Sequence, residues 1–291
     1  MLRITGKTTV IGIFGYPVEH SLSPLMHNTA FKHLNIDYCY VPFPVHPDKV
    51  GEAVAAIRAL RLRGVNVTIP HKQAVIPFLD ELSPEARIIG AVNTIVNRDG
   101  ALKGYNTDGQ GFVRSLREDA GMDPAGKTVI LLGAGGSARG VGVQLALAGA
   151  KKVYLVNRTP EKAEEIAKVI ADNTKAQAEV LPWTKEALEQ ALGTAQIIVN
   201  TTSIGMFPYY ASVPPVITAL LRPGILVADL VYNPVETGFL TAAAEKGCAT
   251  LSGLGMLLYQ GAIAFELWTG QPAPVTAMQE VLRGCIENRI C

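Results

Sequence analysis

Apolar runs of strand length alternate with helix-like stretches along most of the chain. In the first hundred or so positions, residues 9–14, 38–45 and 64–68 read as strands, with one helix starting at Ser23 and another following Pro47. Strands and helices in that succession predict a mostly parallel sheet with helices on its faces. Ser23-Pro24 is a helix-start signal, Ser as N-cap and Pro at the first helical position. Residues 91–96 and 101–105 predict a hairpin around Arg98-Asp99-Gly100, since Asp-Gly favours a tight reversal. Residues 107–118 read as a connecting helix. Beyond it, strands at 127–132, near 196–200 and at 226–229 alternate with helices again, and the tail from Gly253 is helical in pattern. The fold class is therefore α/β, and 291 residues exceed the usual size of one compact core, so two domains are expected.

The most informative segment is Gly133-Ala134-Gly135-Gly136-Ser137-Ala138, between the apolar run 127–132 and a helix-like stretch from Arg139 to Ala148. Small residues at 133, 135 and 138 fill the three positions of a dinucleotide fingerprint. Gly133 permits the tight turn, Gly135 lets the backbone approach a pyrophosphate, and Ala138 permits close helix packing. The helix start offers unpaired amides and its positive dipole end to the anion. A Rossmann domain is the expectation. The following strand ends in Asn157-Arg158-Thr159, where an NAD-binding chain would carry an acid for the ribose hydroxyls. Arg158 instead offers a fork of donors suited to a 2′-phosphate, which points to NADP; the alternative is a solvated arginine at a helix start.

Composition narrows the class further. Hydrophobic content of 48% with 18% charged residues suits an α/β protein with well-buried strands. A net charge of +1, without a basic stripe or interleaved aromatics, argues against a nucleic-acid partner. Cys39, Cys248, Cys285 and Cys291 show no metal-like spacing and are expected to be reduced thiols, with no metal site. The first residues lack the apolar core of a secretory signal, and the apolar stretch 253–265 is too short to span a bilayer, so a cytoplasmic protein without a membrane partner is expected.

Polar residues gather where the first domain's strands end. Ser21 and Ser23 flank Leu22, and in an extended segment both hydroxyls would point to one side and could clasp a carboxylate; Ser23 could equally serve only as a helix cap. Thr68-Ile69-Pro70-His71-Lys72 places a lysine just past a strand's carboxyl end, the crevice in which open α/β sheets bind ligands. Asn93 lies on the predicted hairpin, and Asp108 stands at the junction with the nucleotide domain, where it could also be a plain helix-start acid.

Taken in order, Ser21-Leu22-Ser23-Pro24, Val67 to Lys72, Gly90 to Thr94, Gly104 to Gly109, Gly133 to Gly136, Asn157 to Thr159, Asn200 to Thr202, Val231 to Pro234 and Met256 to Gln260 resemble shikimate dehydrogenase over nearly the whole chain. The resemblance implies reversible, NADP-dependent reduction of 3-dehydroshikimate to shikimate in aromatic amino-acid biosynthesis. It implies that Ser21 and Ser23 bind the substrate carboxylate, and that Thr68, Asn93, Asp108 and Gln260 hold ring hydroxyls. Lys72 and Asp108 would act as a catalytic pair at the reacting oxygen, and Tyr232 would lie near substrate and nicotinamide. Gly133, Ala134, Gly135, Gly136, Ser137, Ala138, Asn157, Arg158, Thr159, Thr201 and Gly253 would serve the cofactor, with the loop 200–206 on the nicotinamide side. It also implies a substrate domain of residues 1–108, to which 253–291 return, and a Rossmann NADP-binding domain of residues 109–252. A homodimer is compatible with the sequence.

Hydride delivery to a ketone carbon leaves negative charge on oxygen, so a cation or proton donor is needed there, and Lys72 can supply both while Asp108 orients it. Which of the two carries the proton is left open. Hydride transfer tolerates little misplacement, so the two domains are expected to face one another and to close. Three alternatives stand beside this: a quinate/shikimate dehydrogenase accepting quinate and NAD, a methylenetetrahydrofolate dehydrogenase lacking the Ser21/Ser23 and Asp108 set, and a non-catalytic sensor. A sensor has no need of an intact Lys72/Asp108 pair together with a complete nucleotide turn.

Overall fold

A computed structural model describes residues 4–206, 209–210, 212–214 and 216–288. The chain divides into two compact units, one formed by 1–107 with 260–291, the other by 108–259. The second crossing falls inside a helix, seven residues past the Gly253 at which the sequence placed the return.

The first unit holds β1 (Thr9–Gly15), α1 (Ser23–His33), β2 (Tyr38–Pro44), α2 (Val50–Ala59), β3 (Gly64–Val67), β4 (Glu81–Leu82), α3 (Pro84–Ile89), β5 (Thr94–Arg98) and β6 (Ala101–Tyr105). Its six-stranded sheet has the order β2-β1-β3-β5-β6-β4. β1 pairs in parallel with both β2 and β3, while β5 runs antiparallel to β3 and β6, so the sheet is mostly parallel with one reversed strand. The reversal is the hairpin at Asp99-Gly100, whose φ angles of 53° and 94° give the left-handed turn that Asp-Gly accommodates. Central strand β3 is buried at every position, which is why its sequence shows no polar alternation. Ile57, Val65, Val92, Ile95 and Leu102 pack the core on one face. β4 and α3 were not anticipated; α3 is started by Ser83, whose hydroxyl accepts from Ala86 N at 3.2 Å, and ended by Gly90 at φ 69°.

The second unit contains α4 (Asp108–Glu118), β7 (Thr128–Leu132), α5 (Gly136–Leu147), β8 (Lys152–Val156), α6 (Pro160–Asn173), β9 (Gln177–Leu181), α7 (Lys185–Leu192), β10 (Ile197–Asn200), α8 (Ile217–Leu220), β11 (Leu226–Asp229), α9 (Gly238–Glu245) and β12 (Ala249–Leu251). All six strands are parallel in the order β12-β11-β10-β7-β8-β9, the doubly wound Rossmann arrangement. α10 (Gly253–Thr269) begins in this unit and ends in the first, and α11 (Val275–Asn288) packs on α1. The tail is anchored in the first unit by Trp268, buried, whose indole Nε1 donates to Ile95 O at 3.0 Å, and by Arg63 Nε donating to Trp268 O at 2.7 Å.

Two expectations need correction. Ser23 is not the N-cap of α1: Leu22 holds that position in a helical conformation, and no side chain caps the helix. Cys39 and Cys248 are free, but Cys285 is disulfide-bonded, because spacing along a sequence does not reveal which thiols the fold brings together; Cys291 lies outside the described residues. Among the described residues no helix is long and apolar enough to cross a membrane.

Candidate active site

In each sheet the winding direction switches once, leaving between the carboxyl ends of two strands the crevice in which open α/β sheets bind ligands. In the first unit that switch lies between β1 and β3. The Ser21 loop follows β1 and the Thr68–Lys72 segment follows β3, and the two strand ends are tied by Thr68 N donating to Phe14 O at 2.8 Å. Val92 N donates to Lys72 O at 2.8 Å, which fixes the half-buried lysine's backbone beside the start of the hairpin. His71, buried, braces the segment with Nε2 at 2.7 Å from Val45 O.

Asn93 is the hub of a buried polar cluster. Its Oδ1 accepts from Thr107 N at 2.7 Å, and its Nδ2 donates to Thr107 Oγ1 at 2.9 Å and to Gln260 Oε1 at 3.5 Å. The tail therefore contributes Gln260 to the same group as Asn93, although 167 positions separate them in the sequence. From the sheet side, Asn66 Nδ2 donates to Asn93 O at 3.1 Å and to Thr94 Oγ1 at 3.0 Å, while its Oδ1 accepts from Tyr40 Oη at 2.7 Å. Sequence reasoning passed over Asn66 and Tyr40. The available signal was a single asparagine within an otherwise apolar buried strand, since a buried polar side chain must find partners. Ser21 and Ser23 do not form the expected extended clasp: Leu22 is helical, and Ser23 N donates to Ser21 Oγ at 3.3 Å.

In the second unit the switch lies between β7 and β10, and the glycine turn stands there. Gly133 has φ 108°, and a Cβ would lie 2.7 Å from Thr201 Oγ1, so two independent constraints require glycine. At Gly135 and Gly136 a Cβ would meet nothing within 4 Å, so the backbone there faces open space. α5 starts at Gly136, three residues before the Arg139 expected from sequence, which brings the amides of Gly136, Ser137 and Ala138 to the helix N-terminus with no intrahelical acceptor. Gly135, Gly136 and Ser137 are exposed and Ala138 is buried, the division that an anion cradle on a packed helix requires. Ala134 is half-buried within the turn. Close packing against the sheet is shared with Gly142, where a Cβ would come within 2.8 Å of Leu131 Cδ1.

At the end of β8, Asn157 Nδ2 donates to Thr159 O at 2.8 Å, shaping a short turn from which Arg158 is exposed. Beyond β10, Thr201 is held by its own N and Oγ1 on Leu132 O, at 2.9 and 2.7 Å, which joins this loop to the glycine turn. Asn200 organises the loop: Oδ1 accepts from Thr202 N and Oγ1 at 3.1 and 2.6 Å, and Nδ2 donates to Ile204 O at 3.2 Å and to Asp229 Oδ1 at 2.9 Å. Asp229, buried, also accepts from Val231 N at 3.0 Å and from Thr237 Oγ1 at 2.7 Å. Burial raises its carboxyl to about 6, against the opposing pull of these donors. Asp229 thus joins the 200–206 loop to the segment carrying Tyr232, a half-buried residue whose phenol burial pushes up. Gly253 packs on the Leu230 backbone with no room for a side chain, and its N donates to Val231 O at 3.3 Å. Asp108 is the first residue of α4, where the helix dipole favours an acid, and it falls in the second unit while Lys72 falls in the first.

The chain matches three family models: the shikimate dehydrogenase substrate binding domain over residues 13–95, shikimate / quinate 5-dehydrogenase over 116–206, and the shikimate 5′-dehydrogenase C-terminal domain over 253–283. It is 55% identical over 280 residues to a shikimate dehydrogenase (NADP(+)) of Desulforamulus reducens, covering 96% of each chain. Identity to the protein of the same name from Moorella thermoacetica is 50% over 283 residues, covering 97% of this chain and 95% of that one. Among solved structures, shikimate 5-dehydrogenase from Listeria monocytogenes in complex with shikimate and NAD superposes with a TM-score of 0.92 at 42% identity, covering 96% of this chain and 98% of that one.

Proposed function

The chain belongs to the shikimate dehydrogenase family, and from that premise we propose that it is an NADP-dependent oxidoreductase that reversibly reduces 3-dehydroshikimate to shikimate, a step of aromatic amino-acid biosynthesis. The observation that carries this reading is the paired switch-point arrangement: one sheet gathers a polar cluster and a lysine at its strand ends, and the other a glycine turn opening onto a helix N-terminus.

The residues present fit a dinucleotide. The open space at Gly135 and Gly136 admits a pyrophosphate against the backbone, and the amides of residues 136–138 would hold it. Exposed Arg158 would take the 2′-phosphate, flanked by Asn157 and Thr159. Thr201, Tyr232 and Gly253 stand at neighbouring strand ends and would border the nicotinamide. Bound NADP supplies the hydride donor or acceptor.

The remaining chemistry falls to the chain. Asn93, Gln260 and Thr68 would orient ring hydroxyls, with Ser21 and Ser23 on the carboxylate. Lys72 would stabilise the charge that develops on the reacting oxygen, Asp108 would orient the lysine and an adjacent hydroxyl, and the pair would supply the proton. In the oxidative direction the same groups accept the proton that leaves the alcohol.

The test is an initial-rate assay of NADP reduction with shikimate, beside quinate and beside NAD. The shikimate and NADP pair is expected to give the highest kcat/KM. Equal or better use of quinate with NAD would favour the quinate/shikimate alternative, and no reduction with any pair would refute the activity.

A further inference from the structure

Thr201, Tyr232 and Gly253, the residues assigned to the nicotinamide side of the cofactor, lie on three separate segments of the second unit, yet each is one step from a direct partner of the same buried carboxylate. Asp229 is 1% exposed at the end of β11. Its Oδ1 accepts from Asn200 Nδ2 at 2.9 Å and from Val231 N at 3.0 Å. Thr201 follows the first of these donors along the chain, and Tyr232 follows the second. Gly253 N donates to Val231 O at 3.3 Å, so it is tied to the same stretch of backbone. Oδ2 accepts from Thr237 Oγ1 at 2.7 Å, which keeps the carboxylate from turning about its own bond. Thr237 in turn lies against the far end of the 200–206 loop, where a Cβ on Gly205 would stand 3.6 Å from Thr237 Cβ. The orientation of Asn200 is equally determined. Thr202 N can only donate and Ile204 O can only accept, so Oδ1 faces the first while Nδ2 faces the second together with Asp229.

We propose that Asp229 is a positioning residue for hydride transfer: one carboxylate oxygen, shared by Asn200 and Val231, sets the spacing of Thr201, Tyr232 and Gly253 and with it the place of the nicotinamide ring beside them. The inference rests on the proposed cofactor role of those three residues and names the group that keeps them in register. A buried carboxylate suits the task, because hydrogen bonds to it are charge-assisted and water does not compete for them. Hydride transfer makes the task necessary, since a displacement of about 1 Å at the reacting atoms can cost about 10²-fold in rate.

The experiment compares two ligands on the purified protein: NADPH, and adenosine 2′,5′-bisphosphate, which carries the 2′-phosphate but no nicotinamide. Dissociation constants are read by calorimetric titration for wild type, Asp229→Ala and Asp229→Asn. Asp229→Ala should bind NADPH about tenfold more weakly, the effect of about one lost hydrogen bond, and the bisphosphate as tightly as wild type, because Arg158 and the glycine turn are untouched. Asp229→Asn keeps an oxygen for Asn200 and Val231 and should lie closer to wild type than to Asp229→Ala. Equal weakening of both ligands, unaltered NADPH binding in Asp229→Ala, or an asparagine no better than alanine overturns the inference. Failure of the wild-type protein to bind NADPH would instead overturn the cofactor reading beneath it. If Asp229→Ala does not accumulate as folded protein, Thr237→Val releases Oδ2 at nearly constant side-chain size, and the two ligands are read by the same outcomes.

Discussion

Replacing Asp229 with asparagine should make the protein's stability less dependent on pH, and the size of the effect follows from the structure. The carboxyl is buried at the end of β11 and accepts from three neutral donors, Asn200 Nδ2, Val231 N and Thr237 Oγ1. Burial outweighs them and raises the folded value from 3.8 to about 6. Between those values the folded state binds the proton more tightly than the unfolded chain. The stabilisation from Asp229 is therefore complete below about pH 4 and is lost as pH rises through about 6. At about 1.4 kcal/mol per pKa unit the loss amounts to about 3 kcal/mol. An asparagine keeps one oxygen for Asn200 and Val231 and can donate its amide to Thr237, so it reproduces the protonated acid without titrating. Urea unfolding of both proteins at about pH 4 and about pH 7 isolates this group, since other titrations cancel in the difference. The stability of Asp229→Asn relative to wild type should rise by about 2–3 kcal/mol across that interval. A difference that stays constant would refute the argument that burial governs this carboxyl.

Two further outcomes concern the cofactor. Arg158→Ala removes the exposed guanidinium at the end of β8 and should raise KM for NADP about 10- to 100-fold, the value of one charge-assisted contact, with KM for NAD nearly unchanged. A parallel loss with both cofactors in steady-state assays would count against a 2′-phosphate role. Gly133→Ala combines φ 108° with the approach to Thr201 Oγ1 at 2.7 Å, so it should lower stability by at least about 1 kcal/mol and weaken NADP binding. A variant with an unaltered melting curve and NADP titration would show that the turn tolerates a side chain.

Much of this fold was legible because buried parallel strands appear as unbroken apolar runs, as in Thr128–Leu132, and because Asp99-Gly100 and Gly133 each require a backbone that few residues adopt. The Rossmann unit and the glycine turn follow from local signals of that kind. What escaped was long-range. Tyr40 looks like an ordinary strand aromatic until β2 is placed beside β1 and Asn66 is found within reach of its hydroxyl. Asp229 looks like a strand-end acid until Asn200 and Thr237 converge on it from separate segments. For Ser21 and Ser23 the sequence leaves an extended clasp and a helix cap open, and neither is found, because Leu22 already has helical angles and serves as the N-cap. α3 did carry a legible start in Ser83-Pro84 and a stop in Gly90, but a six-residue helix leaves little periodicity to notice.

Lys72 is proposed to act on the reacting oxygen, and Lys72→Ala checks that role when turnover and NADP affinity are measured on the same preparation. A fall in kcat for shikimate oxidation of about 10²- to 10⁴-fold is expected, with NADP bound as tightly as by wild type. Turnover at the wild-type rate in that variant would contradict it.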